Sequence, residues 1–268
     1  MIHKFIFITI LQSFFLNLLF ASSFVFSDKS DFEVLEKVKD VSLNKTFVGL
    51  VVAHNIGGKK FLARVSQGLI NGEIQKKREF FDKGTEYIHN GTESREYFLN
   101  EKLVKIRNNA APVFPNFLLF HSQEILKHYN LIRLGLSDIK IANKTSIVFE
   151  LESKDSMRWG VRFWVDSATG LLLKLQYMDS QSNVLKKEFF AEISIDPASS
   201  NNLNLSAPDS NNWRKIYISS FTDENAGLIY NKSYDNGFSL VKCLNANVID
   251  SNQINEKYFV RHQCFFSD

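Results

Sequence analysis

Three side chains with metal-binding chemistry lie at helical spacing near the middle of the chain. His121, Glu124 and His128 occupy positions i, i+3 and i+7 within Phe117 to Tyr129, a segment that predicts a helix. Imidazole and carboxylate groups on one helix face can bind a metal ion. A solvated helix face has the same composition. Because no cysteine or second group of histidines completes a ligand set, the sequence favours the solvated face, and we expect no metal or other cofactor.

The only two cysteines of the chain are Cys243 and Cys264, both near the C-terminal end. Export would permit a disulfide between them. Such a bridge, closing about twenty residues, could stabilise a small terminal domain by roughly 3 kcal/mol. Two buried free thiols are the alternative, and the sequence leaves both open.

Motifs of the common catalytic classes are absent from the sequence. It contains no Gly-x-Ser-x-Gly elbow, Walker loop, His-Glu-x-x-His or dinucleotide glycine fingerprint. The cluster Gly57 to Lys60 predicts a turn, since the spacing of a phosphate loop is missing. Asp155, Asp166 and Asp179 fall at strand ends and turns, where local hydrogen bonding explains an aspartate. We therefore expect a protein that is not an enzyme. A net charge of +3 over 268 residues gives no reason to expect a nucleic-acid partner.

The first 27 residues predict a secretory signal peptide. A short charged start precedes an apolar run from Phe5 to Phe20, and small residues follow it. Cleavage after Ser23 and cleavage after Ser27 both satisfy the small-residue requirement. An uncleaved membrane anchor is the alternative, but the uninterrupted apolar length is below the ~20 residues that a span needs. We expect an exported protein.

The elements that would position any site follow from hydrophobic periodicity. Ser30 and Glu33 have capping-box spacing at the start of a predicted helix. Short strands predicted from Thr46 to Arg107, and again from Lys144 onwards, indicate a broad antiparallel sheet. The chain is 44% hydrophobic and contains 25 Phe, so it has ample apolar surface to bury. The helix has one apolar stripe, formed by Val34, Leu35, Val38 and Val41.

The stretch Arg158 to Ile195 predicts three antiparallel strands joined by two tight turns. Its apolar and polar residues alternate with a period of two, which places one apolar set on a single face of the sheet. If helices leave this face open, the set lines an apolar ligand cavity; if helices cover it, the set is ordinary core. The candidates are Trp159, Val161, Phe163, Val165, Leu171, Leu173 and Leu175.

Composition divides the exported chain into two parts. Residues 197–212 are rich in Ser and Asn, contain two Pro and have little to bury, which is the composition of a linker. We therefore predict a large domain over residues 28–196 and a small β-rich domain over residues 213–268. The strands predicted in the small domain are Lys215 to Phe221, Gly237 to Cys243 and Lys257 to Phe266.

Two runs within and just before the predicted meander form a recognisable pattern. They are Lys154 to Gly160 (KDSMRWG) and Phe163 to Lys174 (FWVDSATGLLLK), followed by Val184, Leu185 and Phe189. Further agreement extends back to Phe47-Val48-Gly49 and forward to Trp213 and Phe266-Ser267-Asp268. The pattern resembles the RseB/MucB family of periplasmic regulators of the envelope-stress sigma factor.

This resemblance implies an α+β fold. The large domain would be an open half-barrel antiparallel sheet wrapped over helices, like the lipoprotein carriers LolA and LppX. A small β-rich C-terminal domain would follow. The chain stops where the family usually continues past a Ser-Asp-Gly turn, which leaves open whether the smaller domain is complete.

The resemblance also implies a function. Members bind the periplasmic domain of a membrane-spanning anti-sigma factor and shield it from the site-1 protease, and lipid or lipopolysaccharide releases them. A periplasmic regulator of this kind is the function we expect. A periplasmic lipid or lipoprotein carrier of the LolA type is the alternative, to which the apolar sheet face and the phenylalanine surplus point. The sequence leaves open whether the protein forms a homo-oligomer.

Overall fold

A computed structural model gives the fold of residues 25–55, 58–70, 72–91, 93–108, 121–197, 203–222, 239–250 and 261–267. For residues 55, 108, 219–222, 239–250 and 261–267 only the backbone is described. The predicted signal peptide up to residue 24 lies outside these ranges. None of the helices in the described part of the chain has the length and apolar character needed to span a bilayer.

The described residues form two helices and fourteen strands. The elements are α1 (Asp31–Asn44), β1 (Phe47–Asn55), β2 (Lys60–Ile70), β3 (Glu73–Phe80), β4 (Thr85–Asn90), β5 (Glu93–Phe98), β6 (Leu103–Asn108), α2 (Ser122–His128), β7 (Tyr129–Leu136), β8 (Ser146–Ser153), β9 (Gly160–Asp166), β10 (Leu172–Met178), β11 (Val184–Ile195), β12 (Arg214–Thr222), β13 (Ser239–Asp250) and β14 (Arg261–Ser267).

All fourteen strands belong to one open sheet. Their order is β14-β13-β12-β6-β5-β4-β3-β2-β1-β11-β10-β9-β8-β7. Neighbours run antiparallel except β6 and β12, which pair in parallel. The broad antiparallel sheet predicted from the short strands is therefore confirmed, and it is open, as the family resemblance implied. β7 forms one edge and was not predicted, because the helix predicted up to Tyr129 ends at His128 and a strand begins at once.

The helix α1 covers part of one face of the sheet. Its predicted capping box is confirmed: the Ser30 amide donates to Glu33 Oε2 at 2.8 Å, and the Glu33 amide donates to Ser30 Oγ at 3.4 Å. The predicted apolar stripe is buried against the sheet. Gln67 of β2 ties the end of the helix to the sheet by donating to the carbonyls of Ser42 and Lys45. We call the covered side of the sheet the helix face and the opposite side the outer face.

Residues 203–206 of the segment with linker composition pack on the outer face. Leu203 and Leu205 are 4% and 7% exposed, and Lys77 Nζ donates to the Ser206 carbonyl at 3.0 Å. Trp213 then meets Tyr97 of β5 edge to face, with 6.2 Å between ring centroids. β12 follows directly and hydrogen-bonds to β6, so the C-terminal strands extend the same sheet. The domain boundary itself stays a prediction.

Candidate functional site

Five of the seven residues predicted to line a cavity lie together in the core beneath α1. They share this cluster with the buried valines of the helix. Phe163 is fully buried and stacks on Phe149 of β8, with 5.4 Å between ring centroids. The helix thus covers this part of the face, and the side chains pack as core. The five are Val161, Phe163, Val165, Leu171 and Leu175.

Leu173 lies on the outer face, away from the other candidates. In the β9–β10 pairing Leu172 is opposite Val165 and Lys174 is opposite Trp164, so Leu173 is the extra residue of a bulge. Its side chain packs with Trp164 instead. The prediction that Leu173 shares a face with Leu171 was wrong, because the bulge interrupts the period of two.

Trp159 precedes β9 and is not part of the core. Its side chain is 53% exposed, and its ring meets Tyr177 of β10 edge to face at 6.4 Å. Burial raises the pKa of the Tyr177 hydroxyl to about 12, with the charge of Glu188 adding to the effect. Tyr177 is therefore neutral at physiological pH. The Trp159 side chain offers an apolar surface at the rim of the helix face.

An apolar cavity of about 300 Å³ lies at the β7 edge of the core. The ring of Phe26, which precedes α1, forms one wall and meets Phe149 edge to face at 5.4 Å. This volume is at the small end of the range that ligand pockets occupy. The lining residues are Phe26, Ser27, Arg133, Gly135, Leu136, Ile147 and Phe149.

Strand β3 carries three consecutive buried basic residues, Lys76, Lys77 and Arg78. Successive side chains alternate between faces, so Lys77 points to the outer face and its two neighbours to the helix face. Lys77 Nζ is neutralised by Glu79 and Glu86, each at 3.0 Å. The two basic residues on the helix face are opposite Gln67 and the core residue Val65 of β2, at the edge of the aliphatic core.

Lys76 is the most unusual of the three. It is 5% exposed, and its Nζ makes no hydrogen bond with any residue that the structure describes. Burial lowers the pKa of this amine to about 8. His89 stands directly opposite on β4, with its Nδ1 2.8 Å from Ser94 Oγ. Burial and the Lys76 charge both lower the pKa of His89.

Arg78 lies among aromatic rings on the same face. Its guanidinium carbon is 4.8 Å from the ring centroid of Phe80 and 5.5 Å from that of Phe61. One of its nitrogens is 3.9 Å from Glu188 Oε1. Burial lowers the pKa of Arg78, while the Glu188 charge raises it. Arg78 and Lys76 thus place two buried cations on this half of the helix face, with Arg78 beside apolar rings.

Sequence reasoning missed this charged half, although a signal was available. In a strand with one face buried, a run of three basic residues must place at least one on the buried side. The Lys-Lys-Arg run of β3 met that condition. The predicted strand was therefore sufficient to mark Lys76 or Lys77 as a buried cation.

The histidines considered as metal ligands lie on α2 and just before it. His121 is the N-cap residue, and the Glu124 carboxylate accepts from Lys127 Nζ at 2.7 Å. That hydrogen bond is the main reason why the pKa of Glu124 is lowered. Across the described ranges no three His, Cys, Asp or Glu side chains come close enough together to hold a metal ion.

The turn aspartates make the local hydrogen bonds that the sequence predicted. Asp155 Oδ1 accepts from the amides of Met157 and Arg158 at 2.9 and 3.1 Å. Asp166 Oδ2 accepts from Thr169 Oγ1 at 2.7 Å. Asp179 accepts from the side-chain amide of Asn183 at 3.0 Å and from backbone amides of its own turn, and these hydrogen bonds lower its pKa. These carboxylates have structural partners.

The cysteines lie on the last two strands. In the β13–β14 pairing the backbone of Cys243 is directly opposite that of Cys264. Their side chains lie outside the described part of the chain. Opposite residues of an antiparallel pair have Cα atoms about 4.5 to 5.5 Å apart, which is within the range that a disulfide requires.

The fold defines a class of protein: one open, almost wholly antiparallel sheet with a helix and an apolar core on one face. Residues 30–212 match the MucB/RseB N-terminal domain family, and the chain belongs to that family. The family suggested by the sequence is thereby confirmed. A comparison with curated proteins finds no match.

Solved structures of MucB have the same fold. The MucB of the Pseudomonas aeruginosa MucA/MucB complex is 14% identical, with a TM-score of 0.58 over 82% of this chain and 75% of that one. A crystal structure of MucB is 15% identical, with a TM-score of 0.57 over 81% and 77% of the two chains. MucB in complex with MucA(peri) is 14% identical, with a TM-score of 0.56 over 84% and 76%.

Proposed function

We propose that the protein is a periplasmic negative regulator of the envelope-stress sigma factor pathway. It binds the periplasmic domain of a membrane-spanning anti-sigma factor and protects that domain from proteolysis. The observation that carries this proposal is membership of the MucB/RseB family over residues 30–212. The shared fold with a MucB that was solved in complex with MucA(peri) supports the same partner class.

The charged half of the helix face supports a binding role. A buried lysine without a hydrogen-bond partner among the described residues is costly, because its charge is removed from water without compensation. A carboxylate of the partner or an anionic lipid group would compensate the Lys76 charge. The exposed ring of Trp159 adds apolar contact area at the rim of this face.

Direct binding tests the regulator. The mature protein is titrated against the periplasmic segment of the anti-sigma factor encoded in the same genome, with the periplasmic segment of an unrelated membrane protein as the control. We expect micromolar or tighter binding to the anti-sigma segment alone. A second arm adds the site-1 protease and measures the half-life of the segment, which the protein should prolong. No binding at micromolar concentrations would contradict the proposal.

Sensing of lipid or lipopolysaccharide is the finer part of the proposal. Lipopolysaccharide added to the preformed complex should shorten the life of the complex, and neutral-lipid vesicles should not. Lys76→Met should blunt the response to lipopolysaccharide if the buried amine receives the anionic group, whereas the exposed Lys59→Met should leave it unchanged. The oligomeric state is measured in the same experiments by light scattering.

A lipid or lipoprotein carrier of the LolA type is the second candidate function. The apolar cavity of about 300 Å³ beside Phe26 favours it, because an acyl chain needs such a lining. Native mass spectrometry of gently purified protein would show bound acyl chains. A protein that is repeatedly empty would rule this candidate out and leave the regulator.

A further inference from the structure

The residue Phe26 is built into the core, although it lies within the predicted signal peptide. It is 2% exposed and belongs to the same cluster as the α1 valines. Its ring meets Phe149 edge to face at 5.4 Å, and Phe149 stacks on Phe163 at 5.4 Å. Phe26 thus ends a series of three contacting aromatic rings.

The backbone of the same segment is held by a strand far along the chain. Arg133 of β7 donates from Nη1 to the Phe26 carbonyl at 2.8 Å and from Nη2 to the Lys29 carbonyl. A guanidinium that donates to two carbonyls three residues apart, just before α1, fixes the path of the chain into the helix. Without the Phe26 carbonyl, Arg133 would keep only one of these two acceptors.

A third part of the chain leaves room for the ring. Gly170, in the turn after β9, has φ +83° and would place a Cβ 3.1 Å from Phe26 Cζ. A side chain at this position would push against the ring. Strand β7, strand β8 and this turn therefore all accommodate Phe26.

We infer that the signal peptide is removed between Ser23 and Phe24, so that Phe26 remains in the mature protein as part of its core. The inference rests on the proposed export. Both sites left open by the sequence satisfy the small-residue rule, with Ala21 and Ser23 at one and Val25 and Ser27 at the other. Cleavage after Ser27 would discard Phe26 and leave Phe149 facing an enlarged cavity.

The mature N-terminus tests the inference directly. The full 268-residue chain is expressed with its own leader, and the intact mass of the periplasmic product is measured. A product that begins at Phe24 supports the inference, and one that begins at Asp28 overturns it. Ser23→Leu should block processing, whereas Ser27→Leu should leave it unchanged; the reverse result overturns the inference.

The experiments distinguish a failure of this inference from a failure of the proposed regulatory function. A chain found only at full length, in any fraction, overturns the cleavage position. A protein correctly processed to Phe24 that does not bind the anti-sigma segment contradicts the regulator and leaves the cleavage position standing.

Thermal unfolding of the exported protein gives an independent measurement. Phe26→Ala should lower the melting temperature by roughly 6 to 20 °C, the shift expected for loss of a buried phenylalanine in a protein of this size. Phe32→Ala is the matched control, because Phe32 is 41% exposed on α1, and should change it by less than a quarter of that shift. Equal melting temperatures for Phe26→Ala and the wild type would overturn the inference.

Discussion

Leu203 lies so close to Gly68 that a Cβ at position 68 would be 2.6 Å from Leu203 Cδ1. Gly68 is on β2. Because glycine has no side chain, a recess is left beside it in which Leu203 is buried, and we call this recess the Leu203 seat. Residues 203–206, which precede β12, are therefore held on the outer face.

Replacing Gly68 tests this seat. Gly68→Ala should destabilise the protein by about 1 to 3 kcal/mol, because the new methyl group displaces Leu203. In the Leu203→Ala background the same change should cost clearly less, which a double-mutant cycle by urea unfolding would measure. Gly160→Ala is the control, since a Cβ there meets only ordinary contacts at 3.6 Å or more. Equal stability of Gly68→Ala and the wild type would show that Leu203 does not fill the recess beside Gly68.

Truncating Phe163 distinguishes core from ligand cavity. Phe163→Ala should cost about 3 to 5 kcal/mol of unfolding free energy, the usual loss for a fully buried phenylalanine. Trp159→Ala, at an exposed position, should cost less than about 1 kcal/mol. Denaturant unfolding measures both. Little lost stability with reduced lipid binding in Phe163→Ala would favour a cavity instead.

The buried amine of Lys76 makes stability depend on pH in an uncommon direction. Its pKa is about 8 in the folded protein and 10.5 when unperturbed. Between these values the unfolded chain binds more protons, so the free energy of unfolding contributed by this group rises as pH increases from 8 towards 10.5. Below pH 8 its full destabilising effect, up to about 3 kcal/mol, is present.

Lys76→Met should therefore stabilise the protein at pH 7 and remove this rise. Urea midpoints at intervals from pH 7 to about pH 10 compare the variant with Lys59→Met, an exposed lysine. The Lys59 variant should follow the wild type. The free energy of unfolding could instead change with pH by the same slope in the wild type and in Lys76→Met. That result would show that the amine is not buried as described.

A disulfide between Cys243 and Cys264 is the prediction for the last two strands. The oxidised protein, unfolded without reductant, should show no thiol that reacts with a maleimide. Reduction should lower its stability by roughly 3 kcal/mol. The double variant Cys243→Ser, Cys264→Ser should be insensitive to reductant. Two reactive thiols in the unreduced exported protein would establish the free-thiol alternative.

Local signals predicted much of the fold. The capping box at Ser30 and the helix stripe depend on residues three or four positions apart, and both are present. The strands of the meander follow from alternation, and Asp166 makes the turn bonds its position indicates. Such features depend on neighbouring residues, so one sequence is sufficient to predict them.

What escaped prediction depends on distant partners. The bulge at Leu173 exists only in relation to β9, and the burial of Phe26 requires Arg133 and Phe149. β7 starts directly after a helix, with no turn residue to mark the change. The segment around Leu203 has the composition of a linker, yet two buried leucines and the hydrogen bond from Lys77 to Ser206 attach it to the sheet. Tertiary contacts decide each of these cases.

The parallel pairing of β6 with β12 also sets an order of events during folding. β6 is made early, but its partner strand is made only after β7 to β11 have been added at the other end of the sheet. Until then the backbone groups on one side of β6 are unpaired, and such an edge can accept a wrong strand or a second chain. Pairings between distant segments also form slowly. The contact of Leu203 with β2 lies shortly before β12 in the chain, so once it has formed, only a short loop has to close for β12 to cover this edge.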